Sequence, residues 1–416
     1  MRVLMQKYSF VLIASFCLFG FVLTAAAQNQ NRIFGRITTV DGEEFTGLIR
    51  WDKNEATWVD ILNGSKEISK ENIREARRQL REKSPEKSFW SIPFGRKRSS
   101  RDWPDASLSG IRFGHLAALE PTGRNRARLT LKSGDTIEFM NGSTDIGTDN
   151  RGIVIEDDRD GEIRFGWRDI SRVEFMDSKS DQQSRFGESL YGTLTTRHGY
   201  SFTGLVCWDV DEAFTTDVLD GSERGRKRKV RFADIVWIER HSSRSAALML
   251  KSGAELVLRG SNDVDEGNRG IIVSDPGFGQ VMVKWDDFKR LEFQPVQSSF
   301  SFTDFDGGKR IRGTVYSSQG EAFTGTVRWD NDEAFTWELL NGELDKMVFD
   351  IEFGKIKMIQ KESSDAARIT LSDGRELLLT GSNDVNEGNR GIFIQTAGGE
   401  IFVVDWDDFD RAVFER

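Results

Sequence analysis

Oxygen-bearing side chains are clustered three times in this sequence, in a polar loop that leads into Asn-Arg-Gly-Ile. The loops cover residues 142–152, 260–270 and 381–391. Ca²⁺ takes about six to eight oxygen ligands, and carboxylate and amide oxygens at this density are suitable donors. The candidate ligands are Asp263, Asp265, Glu266, Asp384 and Glu387. The loops therefore predict a calcium site as one of two interpretations.

The other interpretation of these loops is structural. Asp145, Asp263 and Asp384 then accept hydrogen bonds from local backbone N–H groups in Asx-type turns, and the arginine of each Asn-Arg-Gly pairs with a nearby carboxylate. The spacing is not that of an EF-hand loop, and the first copy has no glutamate. Both interpretations stay open at the level of sequence.

A second set of acids follows tryptophan in three Trp-Asp pairs, which begin at Trp51, Trp208 and Trp329. A Glu-Ala pair stands three residues after each Asp. Paired carboxylates at a fixed separation are the machinery of glycosidases, and tryptophan rings stack on sugars. An enzyme commonly needs one such pair, so three copies favour turn chemistry for the acids and core packing for the rings.

Basic residues are concentrated in two stretches, and these are the candidate partner-binding residues. An anionic partner, such as an acidic protein surface or a polysaccharide, is one explanation. Solvated loops are the other explanation. The candidates are Trp90, Arg96, Lys97, Arg98, Trp103, Arg226 and Arg228.

The composition excludes several classes of protein. The chain has 416 residues, 38% of them hydrophobic, which is too apolar for a disordered protein. Two Cys and three His exclude a disulfide scaffold and most Cys- or His-based metal sites. A net charge of −9 argues against nucleic acid as a partner. The motifs HExxH, GxSxG, the P-loop and GxGxxG are absent from the sequence, so we expect no enzyme and no cofactor apart from calcium.

The N-terminus has the pattern of a secretory signal peptide over residues 1–27. Arg2 and Lys7 precede an apolar stretch over 8–24, and three alanines follow at 25–27. A retained membrane anchor is the alternative, but the apolar stretch is short for a span of about 20 residues. We therefore expect an exported chain, periplasmic or extracellular, with no integral span after cleavage and with Cys207 as a single buried thiol.

The motifs divide the rest of the chain into three repeats of roughly 120 residues, at 32–176, 190–293 and 311–415. The first repeat carries a basic insertion at 66–105. Within it, good helix formers over 69–83 predict one exposed helix, with Ser69 as its N-cap. Elsewhere the alternation of apolar and polar residues has period two, which predicts an all-β fold.

Each repeat has two halves of four or five short strands, whose last two strands flank a one-turn bend. The bend motif stands at 232–239 in one half and at 285–292 in the next. This pattern resembles small Src-homology-3-like or Sm-like β-barrels. The resemblance implies six such barrels, two in each repeat. A six-bladed β-propeller is the competing architecture, because four strands in about 40–50 residues also fit a blade.

Together these features predict a secreted or periplasmic, non-catalytic repeat protein that acts as a binding or scaffolding module in the cell envelope. Its expected partner is an envelope protein or a polysaccharide. A carbohydrate- or calcium-binding protein is the alternative.

Overall fold

The computed structural model describes residues 30–82, 106–157, 159–178, 184–275, 277–297 and 300–415. These residues form thirty β-strands and one α-helix, so the predicted all-β class is confirmed. The expected signal peptide and most of the basic insertion lie outside the described residues.

Each of the three repeats contains ten strands. In the first repeat they are β1 (Phe34–Thr39), β2 (Glu44–Arg50), β3 (Ile61–Glu67), β4 (Ala106–Arg112), β5 (Leu116–Gly123), β6 (Arg126–Leu131), β7 (Thr136–Met140), β8 (Ile153–Asp157), β9 (Gly161–Phe165) and β10 (Ile170–Phe175). In the second they are β11 (Tyr191–Thr196), β12 (Ser201–Cys207), β13 (Val218–Glu223), β14 (Arg226–Arg231), β15 (Ile235–Ser242), β16 (Ser245–Leu250), β17 (Glu255–Arg259), β18 (Ile271–Asp275), β19 (Gly279–Val283) and β20 (Phe288–Phe293). In the third they are β21 (Arg312–Ser317), β22 (Ala322–Arg328), β23 (Leu339–Leu344), β24 (Met347–Glu352), β25 (Ile356–Lys361), β26 (Ala366–Leu371), β27 (Glu376–Thr380), β28 (Ile392–Gln395), β29 (Ile401–Val404) and β30 (Phe409–Phe414).

Strand pairing in the first repeat gives one antiparallel sheet in the order β4-β3-β7-β6-β5-β10-β1-β2-β8-β9. The second and third repeats have the same internal order. Strand β19 of the second repeat also pairs with β24 of the third, from Gly279↔Ile351 to Val283↔Met347, and this joins the two into a 20-stranded sheet.

These pairings correct the predicted division into six barrels. Strand β2 from one half of the first repeat pairs with β8 from the other, and β3 pairs with β7. The strands therefore form two large antiparallel sheets rather than six closed barrels. Separate four-stranded propeller blades are excluded by the same continuous pairing. The predicted bends are present as single 3-10 turns, for example Phe232–Asp234 and Trp406–Asp408.

The helix predicted in the insertion is present as α1 (Lys70–Glu82), and the Ser69 hydroxyl accepts the N–H of Glu71 at 3.2 Å. The helix is not simply exposed. Ile73 is 6% exposed and packs with Phe393 and Val403 of the third repeat. The insertion therefore contributes to the contact between the first and third repeats.

The first repeat meets both of the others through basic side chains. Arg50 pairs with Asp217 of the second repeat, with an Nη1–Oδ1 distance of 3.2 Å. Lys66 pairs with Glu338 of the third repeat, and Arg112 Nε lies 3.5 Å from Glu352 Oε1.

His115 adds a hydrogen bond to the contact between Arg112 and Glu352. Its Nδ1 accepts the N–H of Gly307 at 3.2 Å, so Nε2 carries the proton and donates to Glu352 Oε1 at 3.2 Å. Burial opposes ionisation of Glu352, but the charge of Arg112 and the His115 hydrogen bond hold the pKa of Glu352 below its usual range.

Candidate functional site

The Trp-Asp pairs stand at tight turns with the backbone in the left-handed region. Asp52 and Lys53 have φ of 43° and 76°, and the other two copies repeat this at Asp209 and Asp330. In the first copy, Trp51 N–H donates to the carbonyl of Glu55 at 2.6 Å and Glu55 N–H donates back at 3.1 Å. The turn therefore aims the Asp carboxylate inward, where it is 0–1% exposed in all three copies.

Each of these buried Asp carboxylates holds the arginine of the following Asn-Arg-Gly loop. Arg151 donates its backbone N–H and its Nε, the latter at 3.0 Å, to Asp52. The same two groups meet in the other repeats, where the Nη2–Oδ2 distances are 2.9 Å for Arg269–Asp209 and 2.6 Å for Arg390–Asp330. The prediction that these arginines pair with a carboxylate is confirmed, and the two motifs form one cluster.

The carboxylate of the second aspartate in each cluster bonds to backbone that is distant in sequence. Asp145 Oδ2 accepts the N–H of Asn63 at 2.7 Å, across 82 residues. Its carbonyl accepts the indole N–H of Trp51 at 3.0 Å. Asp263 and Asp384 make the same two contacts in the other repeats. The local Asx turn predicted for this residue is therefore wrong, because in all three repeats its carboxylate accepts an N–H group from a strand at least 43 residues earlier. The three tryptophans, all 0% exposed, are core residues as expected.

A glutamate completes each cluster and has a buried, unbonded oxygen. The Oε2 atoms of Glu55, Glu212 and Glu333 have no hydrogen-bond partner among the described residues. Burial and the neighbouring carboxylates Asp263 and Asp209 raise the pKa of Glu212 to about 9. The same causes, burial first, raise the pKa of Glu55 and of Glu333 well above the usual range. The surroundings of each cluster therefore favour the protonated form of its glutamate.

One of the three clusters also has the spacing of a cation site. Oxygen atoms of Asp52, Glu55 and Asp145 lie within 4.8 Å of one another, and this is the sole such group in the described part of the chain. Most of the donor atoms are already engaged, because Asp52 accepts from Arg151 and Thr144, and Asp145 accepts from Asn63. Glu55 Oε2 is the buried oxygen left unbonded.

The five predicted calcium ligands occupy different environments. Asp263 and Asp384 are buried and accept backbone N–H groups, while Asp265 accepts the N–H of Gly267 at 2.9 Å. Glu266 and Glu387 are exposed. Sequence reasoning missed Asp52 and Glu55 as partners of Asp145, although the recurrence of all three positions was visible.

The basic stretch of the second repeat forms strand β14, at one end of the 20-stranded sheet. Arg226 and Arg228 are both exposed. Arg228 pairs with Glu223 at 2.7 Å, whereas Arg226 has no ion pair among the described residues. The other predicted partner-binding residues, Trp90, Arg96, Lys97, Arg98 and Trp103, lie outside the described residues.

Cys207 is half-buried beside the contact between the first and second repeats. It is thus less buried than predicted. Burial, and then the charges of Asp60 and Glu55, raise the pKa of its thiol well above the usual range.

Comparisons with protein-family profiles, with curated proteins and with solved structures find no match to this chain. In the part of the chain that the structure describes, no helix is long and apolar enough to cross a membrane.

Proposed function

We propose that this chain is an exported, non-catalytic binding or scaffolding module of the cell envelope, and that it binds its partner through the basic edge of the 20-stranded sheet. The observation that carries the proposal is β14, where Arg226, Lys227, Arg228, Lys229 and Arg231 are all exposed on a strand that pairs with one neighbour. Arg228, Lys229 and Arg231 pair with nearby acids, whereas Arg226 and Lys227 have no ion pair among the described residues. Cations in excess on an open edge favour an anionic partner.

The carboxylate clusters support the non-catalytic part of this proposal. They occur three times with the same hydrogen bonds, and their acids hold turns, indoles and arginines together. Such repetition is typical of a structural role, since an active site acts as one assembly of unlike groups.

We also retain the relation to Src-homology-3-like or Sm-like repeats as a proposal. The ten strands of a repeat divide into two groups of five, β10-β1-β2-β8-β9 and β4-β3-β7-β6-β5. Each group takes three strands from one half of the repeat and two from the other. An exchange of strands between two ancestral five-stranded units accounts for this pattern.

Binding is tested by capture from envelope extract with residues 28–416. The test variant carries Arg226→Gln and Arg228→Gln, and the matched control carries Arg244→Gln and Lys251→Gln, which remove the same charge from exposed hairpin turns of the same repeat. We expect the partner to be lost from the test variant and retained by the control. Equal capture by both would contradict β14 as the binding edge. N-terminal sequencing of the exported chain, with Gln28 expected first, tests the export.

Calcium binding is a second candidate, because the spacing of Asp52, Glu55 and Asp145 favours it in the first repeat. A ligand that binds only the folded state raises Tm with concentration. We expect a calcium effect, if this site is used, to disappear in Glu55→Gln and to persist in Glu266→Gln. An unchanged Tm at millimolar Ca²⁺ would exclude the site.

A further inference from the structure

The free edge strand β14 has a counterpart in the third repeat that is not free. Strand β24 follows a two-residue turn and precedes the bend at Phe353, as β14 does before Phe232. In the 20-stranded sheet, β24 is paired over five positions with β19. Strand β14 pairs only with β13 among the described strands. The molecule therefore shows what this type of edge accepts, namely one more antiparallel strand.

The backbone of β14 is arranged for such a strand. Glu223 and Arg226 close the hairpin through the left-handed turn Arg224-Gly225, with φ of 48° and 79°. Residues that flank a two-residue turn form a hydrogen-bonded pair, and the pattern alternates along the ladder. The N–H and C=O groups of Lys227 and Lys229 therefore point away from β13, toward the open edge.

The third repeat shows the same alternation with its partner in place. Glu352, which occupies the position of Arg231, donates its backbone N–H to the carbonyl of Phe278 at 3.0 Å. The acceptor, Phe278, belongs to the second repeat, and this hydrogen bond lies at the end of the β19–β24 ladder. The backbone donors of β14 at these positions have no such partner strand.

Side chains differ between the two edges in a way that specifies the partner. Where β24 is covered, Met347 and Phe349 are 0% exposed. At the equivalent positions of β14 stand Arg226 and Arg228, and the opposite face carries Lys227 and Lys229. Opposite charges on directly facing residues stabilise a sheet, and like charges destabilise it. A strand that pairs with β14 must therefore carry carboxylates on both faces.

We propose that β14 binds an acidic, extended polypeptide segment of a partner protein as an additional antiparallel strand; this rests on the proposed function and names the class of its partner. In the register of β19 on β24, about five residues of the segment face Arg226 to Val230. Main-chain hydrogen bonds supply part of the affinity and carboxylates supply the selectivity.

Strand β9 of a second copy of the chain fits this edge less well. Strand β9, which ends the first sheet, occupies the place of β19 in its repeat. In the same register, β9 would set Glu162 opposite Lys229 but Arg164 opposite Lys227. The second of these pairs joins like charges, so the edge selects a more acidic strand than this chain presents at β9.

The test uses a fluorescein-labelled peptide, Thr-Glu-Glu-Val-Glu-Glu-Thr, whose carboxylates fall on both faces of an extended strand, and the same peptide with alternate backbone nitrogens methylated. Methylation removes donors and keeps every charge. We expect the full-length processed chain to bind the first peptide, by fluorescence anisotropy, at least about tenfold more tightly than the second. Equal affinity for the two peptides would overturn strand addition.

Two variants of the protein separate the effect of main-chain hydrogen bonds from the effect of charge. Lys229→Pro removes one outward N–H while leaving the β13–β14 ladder intact, because proline is tolerated at an edge position whose N–H faces solvent. Lys229→Gln removes only the charge. We expect Lys229→Pro to bind the unmethylated peptide about five- to tenfold more weakly than Lys229→Gln, with Tm values that show both variants folded. Equal binding by the two would contradict the proposal.

Other occupants give different results. If a sulfated polysaccharide binds the chain and methylation of the peptide has no effect, the partner is a polyanion rather than an added polypeptide strand. Concentration-dependent dimerisation that is lost in Lys229→Pro would replace it by a second copy. If envelope capture is lost in the Arg226→Gln/Arg228→Gln variant but neither peptide binds, the proposed function stands and strand addition fails.

Discussion

Val210 occupies a backbone conformation that its side chain disfavours. Its φ is 57°, at the turn that follows Trp208, where the other repeats have Lys53 and Asn331. A β-branched side chain in the left-handed region is strained, whereas asparagine is among the residues that enter it most readily. The same turn forms in all three repeats with a different residue at this position, so Val210 itself does not determine the turn geometry.

We therefore expect Val210→Asn to stabilise the protein by about 1 kcal/mol, and thermal unfolding measures it. The control is Val236→Asn, at a strand residue that is 38% exposed and has ordinary backbone angles. The control should bring no gain. A Tm that falls in Val210→Asn would show that its side chain contributes more by packing than it costs by strain.

Glu212 links stability to pH. Its folded pKa of about 9 lies above the ordinary value of 4.5, so the folded state binds the proton more tightly than the unfolded state. The stabilisation of the folded state by this tighter proton binding is complete below about pH 4.5 and is lost as pH rises toward about 9. Glu212→Gln removes this loss, because an amide cannot ionise.

We expect Glu212→Gln to raise Tm above that of the parent chain by more at pH 8 than at pH 5. At pH 8 the free energy of unfolding should increase by on the order of 1–3 kcal/mol. The exposed Glu266→Gln serves as the control and should show no such pH dependence. Equal gains at both pH values would mean that Glu212 ionises normally in the folded chain.

At the scale of elements, local sequence patterns predicted correctly those features whose contacts are between residues near in sequence. The turn at Gly199, the bend at 232–234 and the helix with its Ser69 cap all depend on neighbours within a few residues. Period-two alternation says which face of a strand is buried, but not which strand lies beside it. The pairing of β2 with β8, which begins about a hundred residues later, left no local signal.

The candidate site shows the same limit. The acids and arginines were visible as recurring letters, but the carboxylate that each arginine would choose depends on a contact such as Arg151–Asp52, 99 residues apart. The free edge at β14 was likewise invisible, because it is defined by the partner that β24 has and β14 lacks.

The junction between β19 and β24 depends on a glycine. A Cβ on Gly279 would lie 2.0 Å from the carbonyl oxygen of Asp350 across the junction. Gly161 has the equivalent position on β9, also with a positive φ, but a Cβ there would meet only the flexible side chain of Arg185 at 3.3 Å. An alanine at either site would have a strained backbone, but only at position 279 would its Cβ also clash with backbone of the neighbouring strand.

We expect Gly279→Ala to destabilise the chain by at least about 2 kcal/mol more than Gly161→Ala. Urea unfolding followed by tryptophan fluorescence measures both variants. In Gly279→Ala the transition should also broaden or divide, because the second and third repeats lose their shared ladder. Similar losses in both variants would show that the junction adapts to a side chain.

At the scale of the whole molecule, most ion pairs between the first repeat and the other two place the cation on the first repeat, and Arg328–Glu75 is the reverse case. Lys66 is the clearest case, because its ammonium lies between Glu338 and the acidic cluster of the third repeat. Burial opposes the charge, but Glu338 and Glu333 outweigh it and raise the pKa of Lys66. Removing one member of such a pair leaves the other charge buried and unpaired.

Lys66→Gln should therefore cost on the order of 3 kcal/mol of stability. Lys70→Gln removes the same charge at an exposed position four residues later and should cost less than about 0.5 kcal/mol. Denaturant unfolding of the two variants compares them. A loss in Lys66→Gln no larger than in Lys70→Gln would show that the first and third repeats do not depend on this pair.

The last strand of each repeat has an effect on the order of events in folding. Strand β10 pairs with both β1 and β5, so the centre of the sheet is incomplete until the ribosome has made the final strand of the repeat. Contacts so distant in sequence slow folding. Each repeat of the nascent chain therefore stays incompletely folded until its own last strand has been made.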